Sequence, residues 1–272
     1  MDNFNTPKET VDNLISIWEA KVNKTFISSL ILGILAGAYI WFWAQVATVV
    51  ATWTPDILGF WLTKLLMWAV FSVALILVII AWGELFTGNI LIIQAKYKRK
   101  VTWNQLWKNL IIIYCANFIG ALFVAYLIYK ANLWTSSDSH LGMTALKIAN
   151  DKVNIEFIPA LIRWIFANWL VCLGVVLAIS AKDVIWKIFG IIFPVMTFVA
   201  CGFEHSIANM YFIPMWLFLK NQSALVVSSW LDITNLTWYN FFVWNLFPVT
   251  IGNIIGWAIF VWLFYTITYS KN

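Results

Sequence analysis

The sequence predicts an all-α integral membrane protein of six spans, an inverted 3+3 repeat with broken second and fifth helices. Three observations carry that expectation. Of the 272 residues, 62% are hydrophobic and 11% charged, against about 25% charged in soluble domains. The apolar runs are longer than a membrane barrel strand needs and lack its alternation, so the spans are helices. A polar motif also occurs twice inside apolar segments: Glu84 with Asn89 five positions on, and Glu204 with Asn209 at the same spacing. Ionisable groups are expensive at membrane depth, so a paired occurrence points to a site.

The first 25 residues mix Asp2, Lys8, Glu9, Asp12, Glu19, Lys21 and Lys24 with scattered apolar positions, which is not a signal peptide. Thr6-Pro7-Lys8-Glu9 reads as a helix start, with Thr at the cap, Pro at the first position and Glu closing a capping box. Val11, Leu14, Ile15, Trp18 and Val22 then share one face. Residues 1–25 are therefore expected to form an amphipathic helix in the membrane interface. The channel domain follows over 26–268, with repeat halves at about 26–130 and 158–268, and a cytoplasmic tail over 269–272.

The six apolar segments run roughly over 26–50, 60–95, 106–129, 158–180, 184–219 and 241–268. A straight span needs about 20 residues. The second and fifth segments are each about 35 residues long and both hold the Glu-x4-Asn motif; the fifth also carries Pro194 and Pro214 around it. Irregular backbone survives at membrane depth only where protein or a water-filled cavity satisfies its amides. Each is thus read as helix, break at the motif, and second helix.

Eleven of the 17 basic residues fall at the N-terminus, the 2–3 and 4–5 loops and the C-terminus, including Lys271; Lys64, Lys130, Lys147, Lys152, Arg163 and Lys220 fall opposite. The positive-inside rule puts both termini in the cytoplasm, in the plasma (inner) membrane of the cell. The net charge of +5 then reflects topology, with no nucleic-acid partner. Eight of the 19 Trp lie near the predicted boundaries, Trp53, Trp61, Trp134, Trp230 and Trp238 outside and Trp103, Trp107 and Trp186 inside, whereas Trp82, Trp169 and Trp257 are expected deeper, in helix packing or against lipid. Cys115, Cys172 and Cys201 lie in apolar stretches and read as small packing residues, not as a disulfide framework or metal site. His140 is expected to be solvated in the 3–4 loop.

Asn117-Phe118-Ile119-Gly120 in span 3 is echoed by Asn253-Ile254-Ile255-Gly256 in span 6. Spans 1–3 and 4–6 look like two copies of one unit, and an odd number of crossings turns the second upside down. Two broken helices would then meet near the midplane.

Four strings resemble the formate/nitrite transporter family. They are Gly83-Glu84-Leu85-Phe86-Thr87-Gly88-Asn89, Gly202-Phe203-Glu204-His205-Ser206-Ile207-Ala208-Asn209-Met210, Ala167 to Leu173, and Pro248 to Asn253. The resemblance spans about residues 10–268 and implies a homopentamer of aquaporin-like protomers, each with its own pore. It implies that His205 is the central pore histidine, that Thr87 faces it, and that Asn168 is a hydrogen-bonding neighbour. Phe71, Leu75 and Leu85 on one half and Phe198 on the other resemble apolar constriction residues, and Lys152 a vestibule lysine. The run Asn209 to Met215, Leu236-Thr237-Trp238 and Asn245 to Pro248 are most like formate channels. Nitrite and hydrosulfide members share the core motifs.

The chemistry expected of such residues is transport, not catalysis. A bare anion is costly in an apolar constriction. A cation such as Lys152 at the mouth raises local anion concentration, and a proton taken up at the constriction makes a neutral weak acid. His205 is the candidate donor or polariser; apolar surroundings favour its neutral form, so the proton could equally come from bulk water. Glu84, Glu204, Asn89 and Asn209 are expected to support the helix breaks rather than to carry protons. The partners are then a small anion, protons and lipid, with no cofactor and no metal. A water or glycerol channel is disfavoured by the lack of an Asn-Pro-Ala tripeptide. A membrane redox or haem enzyme is disfavoured because only one of the two His lies in a span.

Overall fold

The computed structural model describes residues 4–258, 260, 264 and 268. Tail residues 269–272 with Lys271, and most of the sixth apolar segment past Ala258, lie outside the described residues. Helix α1 (Pro7–Val22) starts at the Thr6 cap, with the Glu9 carboxylate returning to the Thr6 N–H at 2.7 Å. Its Val11, Leu14, Ile15 and Trp18 are buried, as the amphipathic pattern predicts, and Val22 is partly buried. That helix packs on protein, against the helices at Ile92–Tyr97 and Phe157–Ser180.

Helices α2 (Phe26–Trp53) and α3 (Pro55–Ile80) join through Thr54 alone. Pro55 begins α3 where its missing N–H costs nothing. Five non-helical residues follow, then α4 (Phe86–Asn89) and α5 (Ile92–Tyr97). The second apolar segment thus ends in two short helices rather than the single one expected. Helix α6 (Trp103–Lys130) has its own capping box, Thr102 with Gln105. Helix α7 (His140–Val153) lies between α6 and α8 (Phe157–Ser180). Helix α9 (Val184–Ala200) is separated from α10 (Ser206–Leu219) by another five residues. Pro194 and Pro214 sit inside these helices, not at the link. After α11 (Ser223–Ser229), a π-helical stretch at Asn240–Leu246 runs into α12 (Phe247–Trp257).

Among the described residues, four helices, α2, α3, α6 and α8, are long and apolar enough to cross a membrane; α9 and α10 are shorter apolar helices. They hold together by close backbone approach, as expected where lipid removes the hydrophobic drive between helices. At Gly120 of α6 a Cβ would collide with the Ile34 carbonyl of α2, and at Gly256 of α12 with the Ile165 carbonyl of α8.

Trp169, Trp257 and His140 lie as expected, whereas Cys115 and Cys201 are not buried. Trp82 is 76% exposed rather than packed between helices, with left-handed backbone at φ +63°. Its counterpart in the other five-residue link is Gly202, at φ +66°. Trp257 is buried, and Trp169 stacks on Phe260 at 4.2 Å. Cys115 and Cys201 are exposed on the protomer, and Cys172 alone of the three is buried. His140 is exposed, its Nδ1 2.6 Å from the Ser137 carbonyl.

Candidate functional site

The two links between helices leave backbone groups that need partners, and two asparagines supply them. Asn117 of α6 accepts the Phe86 N–H at 2.9 Å and donates to the carbonyls of Gly33 and Glu84 at 2.7 and 2.9 Å. Asn253 of α12 accepts the Ser206 N–H at 2.9 Å and donates to the carbonyls of Trp164 and Glu204 at 2.8 and 3.3 Å. Each side chain thus fills the orphan positions of a helix start. In the sequence these residues read only as an echo between spans; the structure makes them the braces of both links.

The glutamates have different partners from those expected. Glu84 accepts from Asn89 at 2.7 Å and pairs with Lys21 at 3.1 Å and with Lys24. Lys21 also donates to the Asn89 side-chain oxygen at 2.8 Å. Glu204 accepts from Asn209 at 2.8 Å and from Lys152 at 2.8 Å on both carboxylate oxygens. Asn89 continues to Asn109 at 3.0 Å, and Asn209 to Asn245 at 2.9 Å. The two networks share a Glu–Asn–Asn chain with lysine on the glutamate, from α1 and the residues just after it on one side and from α7 on the other, but Glu84 takes two lysines and Glu204 one. Lys152 lines the α7-side cavity with its ammonium bonded to Glu204. Burial pushes the Lys21 ammonium below the ordinary lysine range, and Glu84 opposes that shift.

The networks flank a greasy middle. On the α7 side lies a cavity of about 330 Å³, with Lys64, Lys152, Arg163, Phe71, Phe198 and His205 in its wall. On the α1 side lies one of about 320 Å³, with Lys21, Lys24, Leu75, Trp82, Glu84 and Leu85 in its wall. Between them only about 10 Å³ remains, enclosed by Phe71, Leu75, Leu85, Phe198 and His205 with their neighbours. The rings of Phe71 and Phe198 meet edge to face with centroids 5.9 Å apart. Phe71 thus faces the α7 side with Phe198, while Leu75 and Leu85 face the α1 side.

His205 sits 4% exposed at this point and caps α10. Its Nδ1 accepts the Ala208 N–H at 3.3 Å, and its Nε2 lies 2.9 Å from the Thr87 hydroxyl. A nitrogen that accepts an N–H carries no proton, so the neutral ring holds its hydrogen on Nε2 and donates it to Thr87. Asn168 donates to the carbonyls of Asn253 at 2.8 Å and Thr87 at 3.4 Å. Cys172, read as mere packing, lies with its sulfur 3.6 Å from the same Thr87 carbonyl.

The formate/nitrite transporter family model matches residues 8–267. A probable formate transporter of Methanothermobacter thermautotrophicus is 39% identical, covering 99% of this chain and 98% of its own. The formate channel FocA of Escherichia coli (strain K12) is 37% identical, covering 93% and 90%. A solved pentameric formate channel with formate bound superposes with a TM-score of 0.82 at 35% identity, covering 90% of this chain and 98% of that one. The chain belongs to the formate/nitrite transporter family.

Proposed function

We propose that this member of the formate/nitrite transporter family is a channel for a small weak-acid anion, formate first, and is not an enzyme. The observation that carries the reading is the His205–Thr87 contact, set at an apolar constriction between two cavities. Anions would enter from the α7 side past Phe71 and Phe198 and leave past Leu75 and Leu85, or the reverse. His205 is the central residue of this path. Its Nδ1 is engaged by a backbone N–H, which supports a neutral ring that polarises the substrate through Thr87, with the proton drawn from water. The apolar walls favour passage as the neutral acid.

The same proposal covers the architecture: six crossings as an inverted repeat, with broken second and fifth helices. The matched polar networks support it, and they extend the repeat to α1 and α7. Domain limits follow as a 1–25 interfacial helix, a 26–268 channel and a 269–272 tail. A homopentamer is supported by the solved relative, which is pentameric. The lysine distribution supports an inner (plasma) membrane placement with both termini cytoplasmic, the α1 side facing the cytoplasm.

The test is uptake into proteoliposomes of formate, nitrite and hydrosulfide across pH, comparing wild type with His205→Asn. Formate flux whose pH profile shifts in the variant is the expected result. An unchanged rate and profile would remove His205 from the mechanism, and no flux of any of the three anions would remove the channel reading.

A further inference from the structure

The bidentate Lys152–Glu204 pair is neutral as a unit, so it attracts an approaching anion only weakly. Yet the α7-side cavity is not short of positive charge. Lys64 from α3 and Arg163 from α8 line the same wall. The other carboxylate there, Asp151, is bound to Lys147 at 3.1 Å. Neither Lys64 nor Arg163 has an ion-pair partner among the described residues. Arg163 is exposed, while Lys64 is half-buried with its ammonium 5.6 Å from the Phe60 ring centre. In the sequence both counted only as topological charges; the fold brings them to one opening.

We infer, on the anion-channel reading above, that Arg163 together with Lys64 is the anion-collecting site of the α7-side mouth, selective for planar oxyanions such as carboxylates. The guanidinium fork offers two parallel N–H donors that fit the two oxygens of a carboxylate. A compact anion such as hydrosulfide presents one acceptor and gains only the charge. Lys64 adds that undirected charge. The same cavity is floored by Phe71, Phe198 and His205, so an anion held at Arg163 is already in front of the constriction. Exposure makes the capture weak, which suits a site that must release its ion.

The experiment is initial-rate uptake into oriented proteoliposomes with formate or hydrosulfide supplied to either face, at low and high salt. Wild type, Arg163→Gln, Arg163→Lys and Lys64→Gln are compared. An exposed charge pair is worth up to about fivefold. Arg163→Gln should therefore raise the half-saturating formate concentration about two- to fivefold, from the α7 face only and at low salt only, with a smaller change at saturation. Arg163→Lys should keep the salt dependence but lose the preference for formate over hydrosulfide. Lys64→Gln should weaken both anions alike. Unchanged half-saturation in Arg163→Gln, or an equal change from both faces, would overturn the inference. Absence of formate flux in wild type would instead overturn the channel reading, and this site with it.

Discussion

The His205 Nε2 lies 2.9 Å from the Thr87 hydroxyl, while the opposite ring nitrogen is taken by the Ala208 N–H. Both nitrogens of a buried imidazole are thereby satisfied, and the ring is held at one orientation and one tautomer. Thr87→Val removes the acceptor without changing shape. Leaving a buried donor unpaired costs about 1–3 kcal/mol, so formate flux should fall on the order of tenfold, and Thr87→Ser should restore it. Wild-type flux in Thr87→Val would show that the contact has no part in transport.

The Lys152–Glu204 pair is the second point of test. Side-chain exposure is 15% for Lys152 and 6% for Glu204. Removing one partner of a buried pair costs about 3–5 kcal/mol, because a charge is left without its counter-charge. Lys152→Ala should lower the melting temperature of the detergent-solubilised protein clearly. Adding Glu204→Gln to it should recover most of the loss, and a double variant no better than the single would refute the pairing.

Asn117 and Asn253 make equivalent sets of backbone bonds, so they should carry equivalent weight. Each truncation to Ala removes the partner of a buried link N–H and a link carbonyl, each costing about 1–3 kcal/mol. Both variants should therefore be strongly destabilised in thermal unfolding. A mild effect at one site and a severe one at the other would contradict the matched networks.

Trp82 holds a left-handed backbone that its counterpart Gly202 adopts without strain. A side chain there costs about 1–2 kcal/mol. Trp82→Gly should raise the melting temperature despite losing a large aromatic, since the ring is mostly exposed. A β-branched Trp82→Val should lower it. A stabilised Val variant would show that the link does not impose this conformation.

The Thr6 N–H and hydroxyl hold the Glu9 carboxylate below the usual glutamate range. A depressed folded-state value means its contribution is complete above the ordinary range and disappears as pH falls through the lowered value. The first turn of α1 should therefore exchange amide hydrogens faster in acid than at neutral pH. Glu9→Gln, which can still accept at the cap, should remove most of that pH dependence.

The helices and the family were legible because their signals are local. Thr6 to Glu9 encodes a cap, Val11 to Trp18 a face, and Glu84 and Glu204 stand out because charge is rare in apolar runs. The Asn117 and Asn253 echo was visible as well, but not its purpose, since a side chain that braces another segment leaves no trace in its own neighbours. Lys21 and Lys24 read as topological charge for the same reason.

By itself the sequence determined that this is a helical membrane protein, which segments are apolar, and that two polar links interrupt them. Those are matters of solvation and periodicity, written into each stretch of chain. Only the tertiary structure decided which charges cancel. Lys152 bonds Glu204, 52 residues away, while Lys64 and Arg163 line one opening with no ion-pair partner among the described residues. It also set His205 against Thr87 across 118 residues. Electrostatics and hydrogen bonding act through space, and the order of residues along the chain does not record which of them become neighbours.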